Sequence, residues 1–143
     1  MVVDTPYNLG SVTLKGAKSK DREVVMATIS HQLTINKGSR GGDYQILFQL
    51  YRAVGSRAKK LVYSTVDGGD RSVDLTPAEA GLVSPKGTTT SFVFAETGNQ
   101  GKITYTLIAT VIQNGAADGT STISLRTPNP VYLIGTLYDE NES

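Results

Sequence analysis

The chain has 143 residues, of which 38% are hydrophobic and 19% are charged, a balance typical of one globular domain and too apolar for a disordered chain. It carries 14 lysine and arginine residues against 13 acidic ones, and this net charge of +1 argues against nucleic acid or an anionic membrane as a partner. It has no cysteine, which excludes disulfides, thiolate metal sites and a thiol nucleophile.

The chain opens with the extended segment MVVDTPYNL, which contains no turn that would pair it locally. Nine extended residues reach about 30 Å, so residues 1–9 are predicted to form an N-terminal arm. Such an arm can fold back on its own domain, hang free, or add a strand to a neighbouring subunit, and the last is the predicted connector. The segment lacks the basic and apolar regions of a signal peptide, and no apolar run is long enough to cross a bilayer. We therefore expect synthesis in the cytoplasm without a signal peptide, and no membrane insertion.

Short runs rich in Thr, Val, Ile, Tyr and Leu alternate with clusters of Gly, Asn, Asp, Ser and Pro, which is the pattern of strands and turns. The predicted strands are 10–16, 22–36, 44–54, 59–67, 88–96, 102–113, 121–127 and 131–140. This spacing predicts an all-β fold over residues 10–140, a single eight-stranded antiparallel jelly-roll sandwich, with an up-and-down barrel as the alternative. A short loop helix is predicted at 75–82 and a frayed tail at 141–143.

The single histidine offers little basis for catalysis. His31 shares its parity with Val25 and Ile29 along the predicted strand, so it is expected to be a hydrogen-bonded core or interface residue. The glycine-rich GSRGGD at 38–43 lacks the Lys-Ser/Thr of a phosphate-binding loop. The sequence therefore predicts no catalytic residue and a protein that is not an enzyme; the single histidine also disfavours an enzyme of cupin type.

The densest acidic segment is DGGDRSVD, with Asp67, Asp70 and Asp74. Carboxylates spaced by glycines can ligate calcium, but they also occur in hairpin loops, where Asp bonds to nearby backbone groups. The spacing is not that of an EF-hand, so we favour the hairpin loop and predict no metal site and no cofactor.

Several predicted strands carry apolar residues on both faces, as expected for a packed layer or a subunit interface. Leu47 and Tyr51 lie opposite the main apolar face of 44–54, and Ile108 lies among threonines. The predicted subunit interface consists of Leu47, Tyr51, Ile108, Tyr132 and Ile134. The predicted N-terminal connector consists of Val2, Val3, Tyr7 and Leu9.

Two family resemblances rest on these runs. The stretch from YQILFQLYRAV through TTTSFVFAE to KITYTLIATV resembles the jelly-roll modules of the complement-C1q and tumour-necrosis-factor type, which form compact trimers. The series GSVTLKG, KDREVVMATI, YQILFQLYR, KLVYSTVDGG, TTTSFVFAETG and KITYTLIAT is similar to Bacillus-type spore-surface proteins, the exosporium and endospore-appendage jelly-roll subunits. This resemblance implies deposition on a spore or cell surface, with the protein itself and other surface proteins as partners. Known appendage subunits crosslink through cysteines, whereas this chain would have to rely on packing and strand addition.

The sequence thus predicts a non-catalytic structural subunit that self-assembles into a trimer, a fibre or a surface layer, through its sheet faces and a strand-adding arm. The alternative is a trimeric carbohydrate-binding, lectin-like module of the same fold. Because the chain has no Trp and 3 Phe, its tyrosines would have to stack on the sugar.

Overall fold

The computed structural model of the protein describes residues 1–34, 44–69, 86–114, 122–125 and 130–140. These ranges form eight strands and no helix. The strands are β1 (Pro6–Ala17), β2 (Arg22–Thr34), β3 (Tyr44–Val54), β4 (Lys60–Gly69), β5 (Lys86–Thr97), β6 (Gly101–Asn114), β7 (Thr122–Leu125) and β8 (Val131–Tyr138). The predicted loop helix at 75–82 and the predicted tail at 141–143 lie outside the described residues.

The strands form two antiparallel sheets, which confirms the predicted all-β sandwich. The first sheet has the order β1-β6-β3-β4. In the second sheet β2 is central, with β5 along one side, and β7 and β8 sharing the other. Of the strands that are neighbours in sequence, only β3 and β4 pair within the described part of the chain, so the alternative up-and-down barrel is wrong.

The core lies between the sheets because each strand turns its apolar parity inward. In β3 the inward residues Tyr44, Ile46, Phe48 and Leu50 are at most 1% exposed, as the period-two pattern predicts. The largest inward side chains of the other strands are Leu14, Val25, Ile29, Phe92, Ile103, Tyr105, Leu107, Val111 and Ile123. Two stacked sheets bury these side chains in one continuous layer.

The sandwich closes tightly where β8 passes β1. Gly135 lies inward on β8, and a Cβ atom there would be only 2.9 Å from Val12 Cγ2 and 3.1 Å from Leu14 Cδ2. The missing side chain therefore lets the two sheets approach at this edge.

The first strand begins earlier than predicted, and the structure does not confirm a free N-terminal arm. Tyr7 and Leu9 of the predicted connector belong to β1, which pairs with β6 from Pro6 onward. Val3 forms a parallel bridge with Val111 of β6, and Val2 N donates to the Tyr7 hydroxyl at 2.7 Å. The segment folds back because β6 offers it the same backbone hydrogen bonds that a neighbouring subunit would.

Candidate functional site

The five predicted interface residues lie on two opposite outer faces of the sandwich. Leu47, Tyr51 and Ile108 lie on the outer face of the first sheet, whereas Tyr132 and Ile134 lie on that of the second. The structure therefore does not bring all five together. Strand periodicity gives the face on which a residue lies, but not the sheet that its strand joins.

The outer face of the first sheet contains a partly covered apolar hollow. Ile108 lies opposite Gln49, which is flanked along β3 by Leu47 and Tyr51, so the three predicted apolar residues are neighbours. All three are half-buried, and with Pro6 they line a hollow of about 550 Å³. The N-terminal segment thus already covers part of this face.

The outer face of the second sheet carries an uncovered apolar row. Met26 of β2 pairs with Val93 of β5 on one side and with Ile134 of β8 on the other. These three side chains are 49%, 60% and 55% exposed, respectively. Tyr132 and Tyr138, also on β8, are 57% and 48% exposed. We call Met26, Val93, Ile134, Tyr132 and Tyr138 the apolar face.

The apolar face is bounded by polar groups at both ends. At one end the Arg22 guanidinium lies 5.4 Å from the centre of the Tyr138 ring, and Arg22 Nε is 3.7 Å from Glu140 Oε1. At the other end Thr28 Oγ1 and Ser91 Oγ lie 3.3 Å apart. An apolar patch with a polar rim is the usual anatomy of a protein interface.

Sequence reasoning identified two members of this face and missed two central ones, Met26 and Val93. The available signal was parity, since each is an apolar residue between inward-facing neighbours of its own strand. Isolated apolar surface residues are common. Only the register that aligns Val93, Met26 and Ile134 across β5, β2 and β8 makes them one patch.

The interior contains a first polar cluster, which we call the His31 cluster: His31, Tyr44, Thr90 and Asp67. His31 has no exposed surface; its Nδ1 lies 2.9 Å from the Tyr44 hydroxyl and its Nε2 lies 2.8 Å from Thr90 Oγ1. The Thr90 hydroxyl donates its single hydrogen to Asp67 Oδ2, at a distance of 2.6 Å. His31 Nε2 must therefore donate to Thr90, so the imidazole is hydrogen-bonded in the core, as predicted.

Asp67 is the only described residue of the three aspartates considered for calcium. Its Oδ2 accepts from Thr90, and its Oδ1 accepts from the backbone N–H of Gly68 at 2.8 Å. Asp67 lies in β4, so these bonds hold the end of that strand, next to the predicted loop. Asp70 and Asp74 lie outside the described residues, and within the described ranges no three His, Cys, Asp or Glu side chains form a group that could hold a metal ion.

A second polar cluster lies at the opposite end of the core. We call it the Glu23 cluster: Glu23, Glu96, Arg52, Tyr105 and Asn99. Arg52 Nη1 lies 2.5 Å from Glu96 Oε2, the Tyr105 hydroxyl donates to Glu96 Oε1 at 2.8 Å, and Asn99 Nδ2 donates to the same oxygen at 3.0 Å. Glu23 lies directly opposite Glu96 across the β2–β5 pairing. Glu23 has no exposed surface, so a substrate in solution cannot contact it in this conformation.

Comparison with known proteins adds no relative. No protein-family profile matches the chain, and neither the curated proteins nor the solved structures contain a match. Across the described ranges, no helix is long and apolar enough to span a membrane.

Proposed function

We propose that this protein is a non-catalytic structural subunit that self-assembles through the apolar face of its second sheet. The observation that carries the proposal is the row formed by Met26, Val93 and Ile134, which crosses three paired strands while each side chain stays about half exposed. Burying an apolar side chain contributes about 1.5–3 kcal/mol. A contiguous row therefore favours a partner far more than the same residues would if scattered.

The proposed partner is a second copy of the chain. The rim of the face carries both signs of charge, Arg22 and Glu140, and hydroxyl groups at the opposite end. A surface with this mixed rim can pack on its own copy without juxtaposing like charges, and two-fold packing of one patch on itself is the commonest way in which identical chains associate. The N-terminal residues are not the connector in this proposal, because β1 is already paired with β6. The trimer, fibre or surface layer and the spore-surface resemblance remain predictions.

The non-catalytic part of the proposal rests on where the titratable groups lie. His31 and Glu23 are both fully buried, and His31 is held by hydrogen bonds to other core residues. General acid or base catalysis needs a group within hydrogen-bond reach of its substrate. Neither residue meets that requirement in the closed sandwich.

The test compares Met26→Lys with Val66→Lys by light scattering and sedimentation over a range of concentrations. Both native side chains are 49% exposed, and Val66 lies on the outer face of the first sheet, so the pair controls for adding a charge to a sheet surface. We expect the wild type and Val66→Lys to associate with rising concentration, and Met26→Lys to stay monomeric with an unchanged circular dichroism spectrum.

Two results would contradict this proposal. A wild type that remains monomeric at high concentration would exclude self-assembly altogether. If Val66→Lys disrupted association and Met26→Lys did not, the contact would lie on the first sheet, on the side of Leu47, Tyr51 and Ile108.

One observation favours the carbohydrate-binding alternative. Tyr132 is 57% exposed and lies in register with Thr28, whose hydroxyl is in turn close to that of Ser91. An exposed ring beside hydroxyl groups is the arrangement that stacks on a sugar and hydrogen-bonds to it. Binding to a glycan array that Tyr132→Ala abolishes, by a wild type that stays monomeric, would favour this function over self-assembly.

A further inference from the structure

The inward end of β2 carries a carboxyl group with no partner. Glu23 has no exposed surface, and neither of its carboxyl oxygens has a hydrogen-bond partner in the structure. An ionised carboxylate in that position would lose its hydration, and the nearby Arg52 charge, Asn99 amide and Glu23 backbone N–H offset only part of that loss. Glu23 is therefore best accommodated in its neutral form.

The neighbouring carboxyl group decides which of the two holds the proton. Glu96 lies directly opposite Glu23, and two like charges in a cross-strand pair destabilise a sheet. Both Glu96 oxygens are engaged, Oε2 by Arg52 and Oε1 by Tyr105 and Asn99. The negative charge is thus stabilised on Glu96, and the proton belongs on Glu23.

Among the described residues, the cation whose charge acts on Glu23 is Arg52, and Arg52 is already paired with Glu96. Leu137 of β8 is its partner on the other side of β2. Asp21, in the turn before β2, accepts a hydrogen bond from the backbone N–H of Lys18. Arg57 and Lys102 line a cavity of about 520 Å³ between the β3–β4 and β5–β6 loops.

This cavity offers water a route to the Glu23 cluster. Asn99, which donates to Glu96 inside the sandwich, also lines the cavity. A movement of the loop around Asn99 would therefore remove a hydrogen bond from Glu96 and let water approach the carboxyl pair. Both Glu96 oxygens are already engaged, and within the described residues no three His, Cys, Asp or Glu side chains form a group that could hold a metal ion, so the carboxyl pair fits calcium or magnesium poorly.

We propose that Glu23 is a proton-dependent latch: this end of the sandwich closes over the Glu23 cluster while Glu23 carries a proton, and opens along β2, β5 and the loop around Asn99 when Glu23 ionises. The latch stands independently of self-assembly, because it concerns the stability of a single chain. Its consequence is a protein that becomes more stable on mild acidification.

The sign of the pH dependence follows from the same contacts. Burial is the largest influence on the pKa of Glu23 and raises it above its ordinary value, and repulsion by Glu96 acts in the same direction. The Glu23 backbone N–H, the Asn99 amide and the charge of Arg52 lower the pKa but do not cancel the effect of burial. The folded protein then holds a proton that the unfolded chain releases, so the stabilisation is complete below the ordinary glutamate pKa of about 4.3. It is lost as the pH rises through the pKa of the folded protein.

Thermal unfolding of the wild type, Glu23→Gln and the control Glu140→Gln tests the latch from about pH 5 to about pH 8, a range that starts just above the ordinary glutamate pKa. Glutamine mimics neutral glutamic acid, and Glu140 is a half-exposed carboxylate at the same end of the sandwich. We expect the Tm of the wild type and of Glu140→Gln to fall as the pH rises. Glu23→Gln should lose most of this fall and melt several degrees above the wild type at the upper limit.

Carbon-13 NMR of glutamate-labelled wild-type protein tests the latch even if Glu23→Gln fails to fold. The proposal predicts one glutamate carboxyl that titrates well above the others. It also predicts that backbone amides of residues 22–24 and 95–99 lose hydrogen-exchange protection, corrected for intrinsic rates, over the same pH interval. If every glutamate titrates in the ordinary range, or if calcium or magnesium at alkaline pH restores the Tm, the latch is overturned.

Discussion

The two polar clusters in the core each contain one inward residue of β2. They differ in whether that residue has hydrogen-bond partners. His31 and Glu23 both point inward from β2, and neither has exposed surface. Both ring nitrogens of His31 have partners, and the connected side chains reach a carboxylate, Asp67, that is only half-buried. Glu23 has no partner for either oxygen, although a complete ion-paired network lies next to it.

The difference shows what a buried polar group requires. A group that finds partners at hydrogen-bond distance fits the core because its hydrogen bonds to water are replaced. A carboxyl group that lies opposite a second carboxyl group fits the core by keeping its proton. We therefore expect the His31 cluster to contribute stability that depends little on neighbouring charges, and the Glu23 cluster to depend on both charge and pH.

The largest change in the free energy of unfolding is expected from Arg52→Met, which removes the one cation that is hydrogen-bonded to Glu96 among the described residues. Arg52 and Glu96 side chains are 18% and 17% exposed, and breaking such a buried pair costs about 3–5 kcal/mol. Chemical denaturation at neutral pH should show this loss of the free energy of unfolding. Arg22→Met is the matched control, since its pair with Glu140 is about half exposed and worth about 0–1 kcal/mol. Equal losses for the two variants would show that the Glu23 cluster is no more dependent on charge than the surface.

A smaller loss of the free energy of unfolding is expected from Tyr44→Phe in the His31 cluster. The substitution keeps the ring and removes the hydroxyl that lies 2.9 Å from His31 Nδ1. Leaving a buried nitrogen without that partner costs about 1–3 kcal/mol. The free energy of unfolding from urea titration measures the loss, with Tyr132→Phe on the exposed face as control. An unchanged free energy would mean that the hydrogen bond contributes nothing to the core.

A loss of about 1 kcal/mol is expected from Asp67→Asn, because Asp67 is only half-buried and water can replace part of its bonding. The amide keeps one acceptor for the Gly68 N–H or for Thr90, but not both of the bonds that the carboxylate accepts. The same urea titration detects the change. A loss as large as that of Arg52→Met would show that the charge of Asp67, rather than its hydrogen-bond geometry, stabilises the His31 cluster.

Calcium is expected to leave the thermal stability of the protein unchanged. Asp67 already uses both oxygens within the protein, so millimolar calcium should leave the Tm unchanged. A ligand at one hundred times its Kd would stabilise by about 2.7 kcal/mol, which thermal unfolding detects easily. A rise in Tm that Asp70→Ala abolishes would reveal a calcium site in the segment that begins with Asp67.

Much of the local structure follows from the sequence. The alternation in YQILFQLYRAV predicts the inward face of β3, and the parity of His31 predicts its burial, because a pleated strand turns successive side chains to opposite sides. The N-terminal segment was predicted less well. The sequence predicts no local turn there, but a turn forms at Asp4 (φ 59°), where the Thr5 N–H donates to Val2 O at 3.4 Å, and the partner strand β6 lies far along the chain.

The sequence by itself determined that the chain forms short strands, which parity of each strand is apolar, and that chemistry based on cysteine is excluded. Only the tertiary structure decided which strands are neighbours, and so which residues meet. Met26, Val93 and Ile134 become one row, and Glu23 comes to lie opposite Glu96, through pairings that join distant segments. The physical reason is that alternation is a property of one strand, whereas register is fixed by the packing of the whole sandwich.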